Sequence, residues 1–150
     1  MTDIKDIAKD LTKEAPRSAY EKIGGFAIIA RTIDKCEADL NGTKGEYHFN
    51  CPLDNMLFTF KGIKGEDFQV YVKEGHTDEE IAQWVKDHGT PKTDEEIAAW
   101  SDAFKTDYSY AHDPQKSGWF RGECIRLGLD PEKTTLFDYL EVEDKASFAK

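Results

Sequence analysis

"SAYEKIGGFAIIARTIDKCEADLNG", residues 18–42, decides the fold class of this 150-residue chain. Ser18 and Glu21 have the spacing of a capping box, in which each side chain satisfies the other's loose backbone donor at a helix start. From there Ile23, Phe26, Ala27, Ala30 and Ile33 recur at helical spacing, and Leu40 continues the stripe. Ile28 and Ile29 widen the apolar surface, so the spacing predicts a largely buried helix. Gly24 and Gly25 interrupt it, and each costs about 1 kcal/mol against Ala in a helix interior. Two readings follow: the helix begins after the glycines, or they let another backbone approach closely. Asn41-Gly42 is a suitable stop.

The same punctuation recurs outward from this segment. Ile4, Ile7 and Leu11 suggest a short lead-in helix within residues 1–15. Pro52 suits a first helical position, where its missing N–H is not needed, and Leu53, Met56, Leu57 and Phe60 follow at helical spacing as far as Gly62. Residues 65–75 give another short helix with Phe68, Tyr71 and Val72 inward. "TDEEIAQW" (77–84) returns as "TDEEIAAW" (93–100), with Thr77–Glu80 and Thr93–Glu96 as capping boxes. This duplicated start signal predicts a helical hairpin. Asp113-Pro114 and Asp130-Pro131 are expected to open the last two helices, and the polar tail 141–150 is a candidate for fraying. The expectation is an all-α chain: one compact domain, 1–150, of about six short helices. The stretch 46–50 is at most a minor extended segment.

Composition excludes several function classes. Lys plus Arg number 20 and Asp plus Glu 30, a net charge of −10, which repels nucleic-acid phosphates and anionic membrane alike. No run approaches the roughly 20 apolar residues of a membrane helix. The N-terminal residues are charged throughout, without a signal-peptide apolar stretch. Cys36, Cys51 and Cys124 are odd in number and widely spaced, which fits reduced thiols and a cytoplasmic location.

The segment from Gly24 to Ile63, with the two "TDEEIA" helices and the late "LGLDP" turn, resembles an uncharacterised bacterial domain-of-unknown-function family, numbered 5069. "ARTIDK", Ala30 to Lys35, is its most distinctive element, and the resemblance is clearest over residues 16–100. It implies a small soluble single-domain protein and supplies no activity, substrate or catalytic residue.

Four constellations bear on chemistry. Arg31, Asp34 and Lys35 share one side of the most apolar helix. As ligand-binding residues, Arg31 offers a planar fork for a carboxylate or phosphate and Lys35 a second cation. As structure, they form an Arg–Asp pair at the helix edge with Lys35 in water. His48, Cys51 and Asp54 are the catalytic candidates, because a helix N-terminus and a neighbouring histidine both favour a thiolate. Against this, in an extended run three residues place His48 and Cys51 on opposite faces, which leaves His48 facing solvent. The histidines show neither H-x₃-H nor HExxH spacing, so no metal site is expected, and no motif asks for a cofactor. Tyr108, Tyr110, Trp119 and Arg121 make the candidate partner surface, since loop aromatics left in water need a reason.

No phosphate-loop or nucleophile-elbow motif is present. The residues favour a non-catalytic binding module for a small molecule or protein. The alternatives are a small-molecule enzyme using the Arg31 helix and the 46–54 loop, or an oligomer-forming structural protein whose paired tryptophan helices meet across a homo-oligomer interface.

Overall fold

Ile29–Asn41 is the central helix of the N-terminal part, and its first ten residues, Ile29 to Ala38, are all buried. A computed structural model describes residues 3–149. In chain order its helices are α1 (Ile4–Ile7), α2 (Ile29–Asn41), α3 (Pro52–Lys61), α4 (Gly65–Lys73), α5 (Asp78–Asp87), α6 (Asp94–Ala103), α7 (Ser117–Arg126) and α8 (Leu136–Phe148). Short 3₁₀ turns lie at Phe104–Thr106, Ser109–His112 and Pro131–Lys133. The all-α class holds, with eight helices among the described residues where about six were expected. The described chain divides into two compact units, one ending at Ser101 and the other starting at Asp102.

In the first unit α2 packs against α1, α3, α4 and α5. The capping-box start at Ser18 is not used. Glu21 N bonds Ser18 O and Tyr20 N bonds Ser18 Oγ, so the serine closes a local turn instead. Gly24 and Gly25 have φ of 61° and 84°, and Ile23 and Phe26 exchange both backbone hydrogen bonds across them. Two central residues at positive φ form the tight reversal that glycine adopts without steric cost. A Cβ on Gly24 would stand 2.9 Å from the Ala82 Cβ, so close approach also requires glycine there. Ser101 secures this reversal from α6, accepting from Ala27 N at 2.8 Å and donating to Gly25 O at 2.7 Å. The helix therefore begins only after Ile28, which sits at φ 74° and bonds Ala19 O through its amide. Positive φ is costly for a β-branched residue, and complete burial of Ile28 holds it there.

The remaining starts and stops follow the sequence closely. Pro52 opens α3, Gly42 and Gly62 close α2 and α3, and both predicted capping boxes form at α5 and α6. The lead-in is shorter than expected. Only Ile4–Ile7 is helical, residues 1–2 lie outside the described residues, and Leu11 is buried as part of a strap whose amide bonds Thr43 O. Residues 46–50 form turns with no strand pairing. Phe49 packs on Phe58 and Phe68, and full burial of rings such as these last two contributes about 2–3 kcal/mol each.

The second unit is built around Ala111, Phe120, Cys124 and Tyr139, with Tyr110, Leu127, Leu129, Leu136 and Leu140 around them. Asp113-Pro114 does not open α7 directly: Asp113 accepts from the amides of Gln115 and Lys116 in a turn, and the helix starts at Ser117. The expected start of the last helix is corrected: Asp130-Pro131 begins only a 3₁₀ turn. The helix starts five residues later, because Thr135 and Asp138 form a capping box of their own. α8 continues to Phe148, and Lys150 lies outside the described residues.

Candidate functional site

Four charged side chains of α2 are withdrawn from solvent. Arg31, Asp34 and Lys35 are each 3% exposed and Glu37 is 7%. Isolated charges in such positions are costly, so each must find a partner or face a cavity. The expectation of a solvated Lys35 at the helix edge is corrected by the partner it finds. Its Nζ lies 3.0 Å from Asp54 Oδ1 and 3.2 Å from Cys51 Sγ. Asp54 also accepts from Thr32 Oγ1 at 2.7 Å and from the Asn50 amide at 2.9 Å. This side of α2 is a closed polar lock onto the start of α3.

Asp34 turns the other way and is gripped by Arg17, a residue the spacing of "ARTIDK" gave no reason to consider. Arg17 Nε and Nη2 reach Asp34 at 3.0–3.2 Å, and its amide donates to Asp34 Oδ2 at 2.8 Å. The same guanidinium bonds Asp78, through Nη1 at 2.7 Å and Nη2 at 3.2 Å. One arginine thus joins two carboxylates, each through both oxygens, in the geometry a planar fork suits. Lys9 Nζ stands 3.7 Å from both Asp34 and Glu14. Arg31 reaches back to the Arg17 carbonyl at 3.5 Å, and its guanidinium carbon lies 5.5 Å from the Tyr47 ring centre.

These groups border a cleft of about 470 Å³ within the first unit. Ile7 at the end of α1 and Lys9 just after it line the cleft, with Asp34 and Glu37 from α2, His76, Thr77, Asp78 and Glu79 around the start of α5, and Arg17 between. Glu37 is its distinctive member. No described residue offers it a hydrogen bond or an ion pair, although it is buried and lines the opening. Burial first, then the charges of Asp34 and Asp78, raise its carboxyl to about 7, with Arg17 opposing. His76 stacks on Tyr71 with ring centres 3.8 Å apart and places Nε2 2.9 Å from Glu74.

Of the catalytic candidates, Cys51 and Asp54 both meet Lys35, whereas His48 is exposed as expected, with Nδ1 3.4 Å from Lys44 Nζ. None of the three lines the cleft. In the second unit Tyr108 and Trp119 are exposed, 41% and 52%. Tyr110 instead packs on Phe120, and Arg121 donates to the Ala111 carbonyl at 2.7 Å and pairs with Glu132. Among the described residues no group of three His, Cys, Asp or Glu side chains is arranged to hold a metal ion.

Arg17, Glu37 and Asp78 are the site residues that sequence reasoning missed. Two signals were available. Glu37 lies three residues after Asp34 and so shares its face, and the repeat gives Asp78 a twin in Asp94, whose partner is Lys86. No curated protein matches the chain. A family model does match residues 13–146, nearly the whole length, and the chain belongs to the family described as Domain of unknown function (DUF5069).

Proposed function

We propose that this protein is a non-catalytic binding module whose ligand is a small molecule seated in the Arg17–Asp34–Glu37–Asp78 cleft. The observation that carries this reading is Glu37, a residue only 7% exposed whose carboxyl lines an opening large enough for a ligand and has no hydrogen-bond partner among the described residues. The carboxyl therefore has acceptor capacity that a ligand entering the cleft can use. Concave sites with a few convergent polar groups on a firm scaffold are the usual form of small-molecule sites. Here the scaffold is α2, the most buried helix of the unit.

The cleft favours binding over catalysis. Its lining holds no thiol or serine, and the Thr77 hydroxyl is engaged by the Glu80 amide. The family model runs across both compact units, which supports treating the chain as one domain. Three free cysteines support a reducing, cytoplasmic setting, and no described helix is long and apolar enough to cross a membrane.

The test is a thermal-shift screen of chemically diverse small polar molecules, followed by amide chemical-shift mapping of each hit. Ligands that shift resonances of residues 34–37 and 76–79 support the cleft. If every hit maps elsewhere, or none is found, the reading fails.

A further inference from the structure

We propose that the cleft takes a small organic cation, an alkylammonium or guanidinium group, whose N–H donors are accepted by Glu37 and Asp78. The inference rests on the binding reading and names its ligand class.

The charge around the cleft supports it. The lining cations are Lys9 and Arg17, and the lining acids are Asp34, Glu37, Asp78 and Glu79. Arg17 directs its donors to Asp34 and Asp78 and is within 3.6 Å of Glu21, so it has little left for an incoming anion. Lys9 is already close to Asp34 and Glu14. Glu37 has no hydrogen-bond donor among the described residues, and in its ionised form it only accepts. A donor must therefore come from the ligand, and a charged donor makes the stronger bond. The choice between a metal ion and an organic cation follows from geometry. The described acids and histidines do not converge as metal ligands, whereas about 470 Å³ accommodates a carbon chain behind the charged head, with Ile7 as an apolar wall. The net charge of −10 also favours the approach of cations.

The groups facing Glu37 fix the pH behaviour. They are Lys9 near α1, Arg17 before α2, Asp34 on α2, and His76, Asp78 and Glu79 at α5. With its carboxyl raised to about 7, Glu37 is mostly neutral at pH 6 and mostly ionised at pH 8. Its ionised fraction changes about tenfold between those values, and cation affinity follows it.

The experiment titrates the full chain with putrescine, and with succinate as an anion of the same carbon length, by amide chemical shifts at pH 6 and pH 8. The expected result is saturable shifts at residues 34–37 and 76–79 with putrescine at pH 8. Binding should be about tenfold weaker at pH 6, and succinate should have no effect. Glu37→Gln keeps the side chain's shape and removes its charge. It should weaken putrescine at least tenfold at pH 8 and flatten the pH dependence. Putrescine leaving the cleft unmoved overturns the proposal. So does a folded Glu37→Gln protein that binds as the wild type does, or whose pH dependence persists. Should succinate or a neutral molecule from the screen shift the cleft instead, the cation class falls and the binding module stands. Should nothing shift it, both fall.

Discussion

Lys35 Nζ and Asp54 Oδ1 lie 3.0 Å apart with both side chains out of solvent, so α2 and α3 are joined by an ion pair inside the first unit. Removing one partner of such a pair leaves the other charge buried and unpaired, at a cost of about 3–5 kcal/mol. Lys35→Met is expected to destabilise by that order. Adding Asp54→Asn should restore part of the loss, because asparagine keeps an oxygen for the Asn50 amide and carries no charge. Urea denaturation of the single and double variants measures this. A Lys35→Met variant as stable as the wild type would show that the pair contributes nothing.

Cys51 is the one half-buried thiol, while Cys36 and Cys124 are buried. Burial, then the charges of Glu37 and Asp39, pushes the Cys36 thiol up, and burial also raises Cys124. Since the thiolate is the reacting form, the two buried cysteines should be inert in the folded protein. Native protein treated with N-ethylmaleimide should take one label, at Cys51, and unfolded protein three. Mass spectrometry with peptide mapping reads the result, and native labelling of Cys36 would contradict the packing described.

These two side chains also show what was legible in the sequence. The stops at Gly42 and Gly62, the proline start of α3 and the duplicated capping boxes were readable because caps act within four residues. The start of α2 was not. Ser18–Glu21 has the right local spacing, and what overrides it is the Gly24-Gly25 reversal, held from Ser101 seventy-six residues away. The candidate site divided in the same way. Asp34 and Lys35 stand out in the sequence as charges on an apolar helix, but helical spacing says nothing about partners from other segments. Asp34 proved to belong to Arg17 and Lys35 to Asp54, so one apparent cluster became two separate networks. Of His48, Cys51 and Asp54, the last two stay together at Lys35 of α2, and only His48 stands apart, in water.

In the second unit Glu123 accepts from Tyr139 Oη at 2.7 Å and from Arg126 at 2.9–3.0 Å. The Arg126 bonds first, then that from Tyr139, hold its carboxyl down at about 2, against an ordinary value of 4.5. A carboxyl lowered in the folded state contributes stability above its unfolded value and loses it as pH falls through the folded one. Glu123→Gln should therefore destabilise at pH 7 and approach the wild type near pH 2. The phenol of Tyr139 is raised, by burial and then by the Glu123 carboxylate, so the variant should also ionise this tyrosine at lower pH. Acid titration of stability and ultraviolet titration of tyrosine are the two measurements. A Glu123→Gln variant whose deficit is unchanged from pH 7 to pH 2 would place its effect in packing.

Glu37 makes the opposite prediction, because its carboxyl is raised rather than lowered. Between about 4.5 and 7 the unfolded chain releases a proton that the folded chain keeps. The folded state binds more protons there, so stability falls as pH rises across that window, by about 1–2 kcal/mol in total once solvent screening of the partly accessible carboxyl is allowed for. The loss is complete above pH 7, where the folded protein carries an ionised and unpartnered buried carboxylate. Glu37→Gln should thus be close to neutral at pH 4.5 and stabilising by about 1–2 kcal/mol at pH 8. Urea unfolding of both proteins at pH 4.5, 6 and 8, without added amines, tests the difference. A variant destabilised equally at all three values would mean that the Glu37 carboxylate has a protein partner in solution, and the cleft would then have no unsatisfied acceptor to offer. A gain that is absent at pH 4.5, present by pH 6 and largest at pH 8 would identify Glu37 as a group whose placement costs stability, the mark of a side chain kept for what it binds.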